Sequence, residues 1–129
     1  MIVIDASVLG PLLLDEEAEQ KARARIQGHN LVAPELIDVE VAALLRKRHR
    51  AKLLSRKRAA QALADLHDLP VKRISHRALL GRVWELRDNV TAYDAAYVAV
   101  AELYDATILT ADNRLANASG PRCRFEVLR

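Results

Sequence analysis

The sequence is short of several residue types, and each shortage removes a class of protein. Cys123 is the one cysteine in 129 residues, so no intrachain disulfide can form. A lone thiol fits a reducing compartment, and its expected role is that of a small buried side chain. There are four glycines, and no G-x-G-x-x-G follows any apolar run, which disfavours a dinucleotide-binding domain. Aromatics make up 4% of the chain (Tyr93, Tyr97, Tyr104, Trp84 and Phe125), too few for an extended base-stacking platform. Of these, Trp84 and Tyr97 are expected in the core or a dimer interface, and Tyr93 at the edge of a groove. His29, His49, His67 and His76 are scattered without zinc-ligand spacing. No apolar run approaches the roughly 20 residues that a membrane-spanning helix needs. The opening MIVIDAS lacks the positive segment of a signal peptide. The expectation is one soluble, cytoplasmic domain over residues 1–129.

What is present is a globular composition: 51% apolar and 29% charged residues, with a net charge of +3. Fifteen of the twenty basic residues are Arg, the side chain best suited to phosphates and carboxylates. Short β-branched runs alternate with helical patterns. Strands are expected around Val3 and Ile4 and at 31–33, 71–74, 106–110 and 124–128. Helices are expected at 7–14 (disturbed or restarted at Gly10-Pro11), at 15–27 up to Gly28, and from Pro34 to about residue 50. Further helices are expected at 55–68 behind Ser55, at 76–88 behind Ser75, at 92–104 behind Thr91, and briefly after Asp112. This alternation implies an α/β fold, a mainly parallel sheet with helices on both faces. Such sheets bind ligands beyond the carboxyl ends of their strands, where Asp5 and Asp112 fall.

Four carboxylates interrupt or close apolar stretches: Asp5, Glu40, Asp94 and Asp112. Each of three has an ordinary explanation. Asp5 and Asp112 can be N-caps, and T-A-Y-D at 91–94 can be a capping box. Glu40 is different, because Leu36, Ile37 and Leu44 share its helix face. Asp38, about 200° around that helix, reads as solvated. Asp94 opens a stretch, 95–101, that is apolar on every side. Buried acids are normally paired or bind a metal, and four that converge would make an oxygen-lined pocket for Mg²⁺ or Mn²⁺.

The segments IDASVL (4–9), APELIDVEVAALLR (33–46), TAYDAAYVAVAE (91–102) and ILTADNRLA (108–116) together resemble the PIN-domain family, and within it VapC-type toxin ribonucleases of toxin–antitoxin pairs. The resemblance implies a PIN-like fold and a metal-dependent endoribonuclease whose metal residues are Asp5, Glu40, Asp94 and Asp112. By the same resemblance Ser7 and Thr110 support the acids, and Asn113 can share the role of Asp112. It also implies an RNA substrate, a cognate VapB-type antitoxin laid across the acidic groove, and a homodimer. Gly10-Pro11 departs from the uninterrupted apolar helix of such relatives.

Residues 46–58 (RKRHRAKLLSRKR) hold eight Lys or Arg among thirteen. They read either as a solvated helix end and loop or as a phosphate-binding surface through Arg46, Lys47, Arg50 and Lys52. The competing functions are a catalytically weak module of the same fold that binds RNA or protein, and a phosphoacceptor domain. The second needs an Asp at a central strand end near mid-chain, where this sequence has a basic helical segment.

Overall fold

The computed structural model describes residues 1–14 and 19–128. Its strands are β1 (Ile2–Ile4), β2 (Leu31–Pro34), β3 (Val71–Ile74), β4 (Thr107–Thr110) and β5 (Phe125–Val127). They form one sheet in the order β3-β2-β1-β4-β5, with every neighbouring pair parallel. Burial follows that order. Val3, Ile4, Val32, Ile108 and Leu109 in the three central strands are shut away from solvent, whereas β5 is half-buried throughout. Parallel strands covered on both faces need side chains that are apolar on both sides, which is why IVI does not alternate.

The α-helices among the described residues are α1 (Ala6–Leu13), α2 (Glu19–Ile26), α3 (Ile37–Arg50), α4 (Arg56–Asp68), α5 (Leu80–Glu85), α6 (Ala92–Tyr104) and α7 (Asn113–Ala116). Helix α6 lies across β1, β2 and β4, while α1 packs on β4 and on α2, α3 and α4. Helices therefore flank the sheet as expected. From β1 the chain steps to β2 and β3 on one side, then returns to β4 on the other. That reversal puts a topological switch point at the carboxyl ends of β1 and β4, the place where such sheets form a crevice and bind ligands.

Several local expectations are corrected. Helix α1 runs unbroken through Gly10 and Pro11. A Cβ at Gly10 would stand 3.0 Å from Leu44 Cδ2, so the glycine lets α1 approach α3 closely. Pro34 does not begin a helix; it closes β2, and α3 starts at Ile37. The pairing of β1 with β2 ends at Val3 and Val32, so the N–H that Pro34 lacks has no ladder partner to lose. Residues 76–88 are not one helix: His76–Leu79 is a 3₁₀ turn leading into α5, and the Ser75 side chain makes no cap bond. Instead His76 Nε2 accepts the Leu36 N–H (2.9 Å) at the start of α3. Ser55 and Thr91 cap α4 and α6 as expected. The first four residues of the expected 15–27 helix lie outside the described residues. No helix among those described is long and apolar enough to cross a membrane.

Candidate active site

Two turns build one wall of the crevice. Asp5 follows β1 and N-caps α1, its Oδ1 accepting the Ser7 N–H at 3.0 Å. Asp112 follows β4 and N-caps α7, its Oδ1 accepting the Arg114 N–H at 2.9 Å. Both are therefore the caps that their spacing allowed, and the capping holds each carboxylate at the crevice. Hydroxyls stitch the turns together. Ser7 Oγ donates to Asp5 Oδ1, accepts the Ala111 N–H (2.9 Å) and lies 3.5 Å from Thr110 Oγ1. That threonine oxygen in turn accepts the Asp112 N–H at 3.0 Å.

Helices α3 and α6 bring the other two acids. Glu40 sits in the first turn of α3 and accepts the Tyr97 O–H at 2.6 Å. Asp94 sits in the first turn of α6, where Thr91 Oγ1 accepts its backbone N–H (3.1 Å). Asp5, Glu40 and Asp94 are each raised. Burial raises the Glu40 carboxyl above its ordinary range, and the charges of Asp5 and Asp94 push it further. Burial likewise raises Asp94, with Asp112 adding to the shift and Thr91 and Arg114 opposing it. Asp5 is 7% exposed, and its burial outweighs the hydrogen bonds from Ser7, Thr110 and Val8, so it too is raised. An acid held above its usual range by burial and like charge marks a candidate functional site.

Among the described residues, no three Asp, Glu, His or Cys side chains are close enough to chelate one ion in this conformation. The donor set still suits a hard cation: carboxylate oxygens, with Asp5 and Glu40 met by hydroxyls and backbone N–H groups rather than by Lys or Arg.

A family model described as "PIN domain" matches residues 2–121. The chain belongs to the PIN-domain family. Its relatives make this PIN domain one of the VapC type. It is 37% identical over 128 residues to the VapC ribonuclease Mb0985 of Mycobacterium bovis, covering 99% of this chain and 98% of that one. Among solved structures, PAE2754 from Pyrobaculum aerophilum superposes with a TM-score of 0.67 at 23% identity, covering 98% of this chain and 83% of that chain. VapC20 of Mycobacterium tuberculosis, described as a sarcin-ricin loop cleaving toxin, gives 0.64 at 17% identity over 84% of this chain and 87% of that one. PIN nucleases generally use divalent metal ions.

The remaining expectations about this PIN domain divide. Asp38 is not simply solvated: Arg73 grips it with Nε (2.9 Å to Oδ2) and Nη2 (2.9 Å to Oδ1). Trp84 is 68% exposed, with Arg87 over its ring at 4.7 Å, so it lies outside the core. Tyr97 is buried, yet its hydroxyl reaches Glu40, a role its place in an apolar helix concealed. Tyr93 is exposed beside Asp94. Arg114, whose Nε lies 3.5 Å from Asp112 Oδ1, escaped the reading of the sequence; its spacing from Asp112 was the available signal. Asn113 is exposed next to Asp112. Arg46, Lys47, Arg50 and Lys52 are exposed, but Arg50 stands ten residues beyond Glu40, about 15 Å along α3. Arg58, by contrast, turns inward to donate to the Leu13 carbonyl at 2.7 Å. Cys123 is half-buried, its thiol pushed up to about 11 by burial and then by Glu102.

Proposed function

We propose that the chain is a metal-dependent endoribonuclease toxin that hydrolyses RNA phosphodiester bonds and is held inactive by a cognate VapB-type antitoxin. The observation that carries this reading is the gathering of acids at the carboxyl ends of β1 and β4, with Asp5, Glu40 and Asp94 each raised above the ordinary range. Relatives that are named VapC ribonucleases over nearly the whole chain support it.

Asp5, Glu40, Asp94 and Asp112 would hold Mg²⁺ or Mn²⁺. Bound there, such an ion would supply Lewis-acid polarisation of a phosphoryl oxygen and of water. The chain's own residues do the positioning. Ser7 and Thr110 hold the two acid-bearing turns in register, and Asn113 stands beside Asp112 to share its role. Arg114, 94% exposed, is placed to meet a phosphate once the acids beside it are neutralised. Arg46, Lys47, Arg50 and Lys52 take the RNA backbone farther along, an interaction that salt screens.

The partners follow from surfaces. Leu80, Trp84 and Tyr93 expose apolar area on α5 and the start of α6, which suits a homodimer, since apolar patches on one chain mark contact sites. The antitoxin would cover the acidic crevice and supply the positive charge that Asp5 and Glu40 lack. The domain spans residues 1–129 and works in the cytoplasm.

A second reading, a catalytically weak module that binds RNA or protein, is favoured by one observation: no three ligating groups stand preassembled among the described residues. RNA cleavage assays in Mg²⁺ and Mn²⁺ separate the two. Wild type should cut, and Asp5→Asn and Asp94→Asn should not. Equal rates in all three proteins overturn the nuclease reading.

A further inference from the structure

Helix α6 is buried from Ala95 to Ala101, and Tyr97 carries the only polar side chain in that run. Phenylalanine would fill the same space, and a buried hydroxyl costs stability unless it is hydrogen-bonded. Tyr97 is 2% exposed, and its O–H donates to Glu40 Oε1 at 2.6 Å, across 57 residues of sequence. Tyr97 also stands three residues beyond Asp94, one turn along the same helix face. A single hydroxyl thus links α6 to α3, and each of these helices carries one of the site's acids.

We infer that Tyr97 is the positioning residue of the acidic site: its phenol fixes the Glu40 carboxylate and ties α3 to α6. This rests on the metal-site reading above. With Oε1 engaged by the phenol, Oε2 is the oxygen left to face a cation; no hydrogen bond to it is formed among the described residues. Groups that orient a metal ligand through a hydrogen bond are typically worth about 10–100-fold in metal affinity or activity.

The test is calorimetric titration of Mn²⁺ into wild type, Tyr97→Phe, Glu40→Gln and the double variant, with melting curves recorded on each. Tyr97→Phe should bind Mn²⁺ at least about tenfold more weakly and lose RNA cleavage through kcat, with KM for RNA nearly unchanged. In the Glu40→Gln background the same substitution should have little further effect, because its path runs through Glu40. If wild type takes up no Mn²⁺, the metal-site reading fails and this inference fails with it. If wild type binds and Tyr97→Phe binds equally well, or weakens binding as much in the Glu40→Gln background, only the inference is overturned. Should Tyr97→Phe not fold, the Tyr93→Phe/Tyr104→Phe protein leaves Tyr97 as the one tyrosine of three. Mn²⁺ should then produce a tyrosine difference spectrum in the near ultraviolet, and an unchanged spectrum overturns the inference.

Discussion

The two ends of α6 carry acids with opposite fates. At its last turn Glu102 accepts from Arg82 Nε (2.7 Å) and Nη2 (3.1 Å) and from the Arg122 N–H (2.8 Å). Burial alone would raise Glu102, but these partners hold its carboxyl below the ordinary range. At the first turn Asp94 has Thr91, the repulsion of Asp112 and only the distant help of Arg114, and it is raised. One helix therefore carries a neutralised acid that clasps the C-terminal loop and an under-compensated acid that faces the crevice. The same contrast recurs within α3: Asp38 is gripped by Arg73, and Glu40, two residues on, has a phenol. Asp38 and Glu102 are each held by an Arg fork, whereas Glu40 is met by a phenol.

The sharpest way to break this contrast is to neutralise each end in turn. Asp94→Asn should cut RNA cleavage by on the order of a thousandfold, the loss of several kcal/mol of transition-state stabilisation, while leaving metal-free stability equal or higher. Glu102→Gln should do the reverse: cleavage within about twofold of wild type, and a stability loss of about 1–3 kcal/mol from the stranded Arg82, read from denaturant melts. Equal losses of stability in both variants would remove the distinction.

The pH response should differ in sign at the two ends. For Asp5, Glu40 and Asp94 the folded pKa lies above ordinary values of 3.8, 4.5 and 3.8, with burial the largest cause. Folding then favours their protonated forms. That contribution is fully present below the ordinary values and is lost as pH rises through the raised ones. Metal-free protein should therefore melt at a higher temperature as pH falls from neutral toward about 5. Glu102 acts oppositely: its pKa is lowered from 4.5, so its contribution is present above that value and is lost as pH falls through the folded one. Thermal melts across pH should show a rise and then a fall on acidification. Asp94→Asn should flatten the rise and Glu102→Gln the fall.

How much of this could be read from the chain depended on how far apart the interacting residues are. The strands at 71–74 and 106–110, the caps Ser55 and Thr91 and the parallel α/β layout rest on local pattern, and they stand. Glu40 on an apolar stripe was legible because Leu36, Ile37 and Leu44 lie within about one turn of it. The Tyr97–Glu40 bond was not, since it spans 57 residues, nor was the Arg73 grip on Asp38 across 35. Pro34 misled because a helix start is a favoured place for proline; only the end of β1–β2 pairing makes it harmless in a strand. Gly10-Pro11 read as a break, when the glycine answers a packing demand from α3.

Two smaller effects sharpen the picture. Replacing Arg46 and Arg50 with Ala should weaken RNA binding uniformly across sequences. The slope of log affinity against log salt should fall by about 0.7 for each single-strand phosphate that is no longer neutralised; an unchanged slope assigns these side chains to the solvated helix end. Gly10→Ala should change stability by less than about 1 kcal/mol, because better helix propensity offsets the crowding against Leu44. It should nonetheless weaken Mn²⁺ uptake by moving the Asp5 turn away from α3, and unaltered uptake would show that this spacing is not critical.

The central claim, that Asp5, Glu40, Asp94 and Asp112 act as one cation site, is tested most directly by a crystal structure grown with Mn²⁺ and mapped by anomalous scattering. The expected result is a peak in the β1–β4 crevice with Asp5 and Asp94 oxygens at about 2.0–2.2 Å, the other two acids drawn toward it, and Tyr97 still donating to Glu40. A crevice without a peak, its four carboxylates still apart, would contradict it.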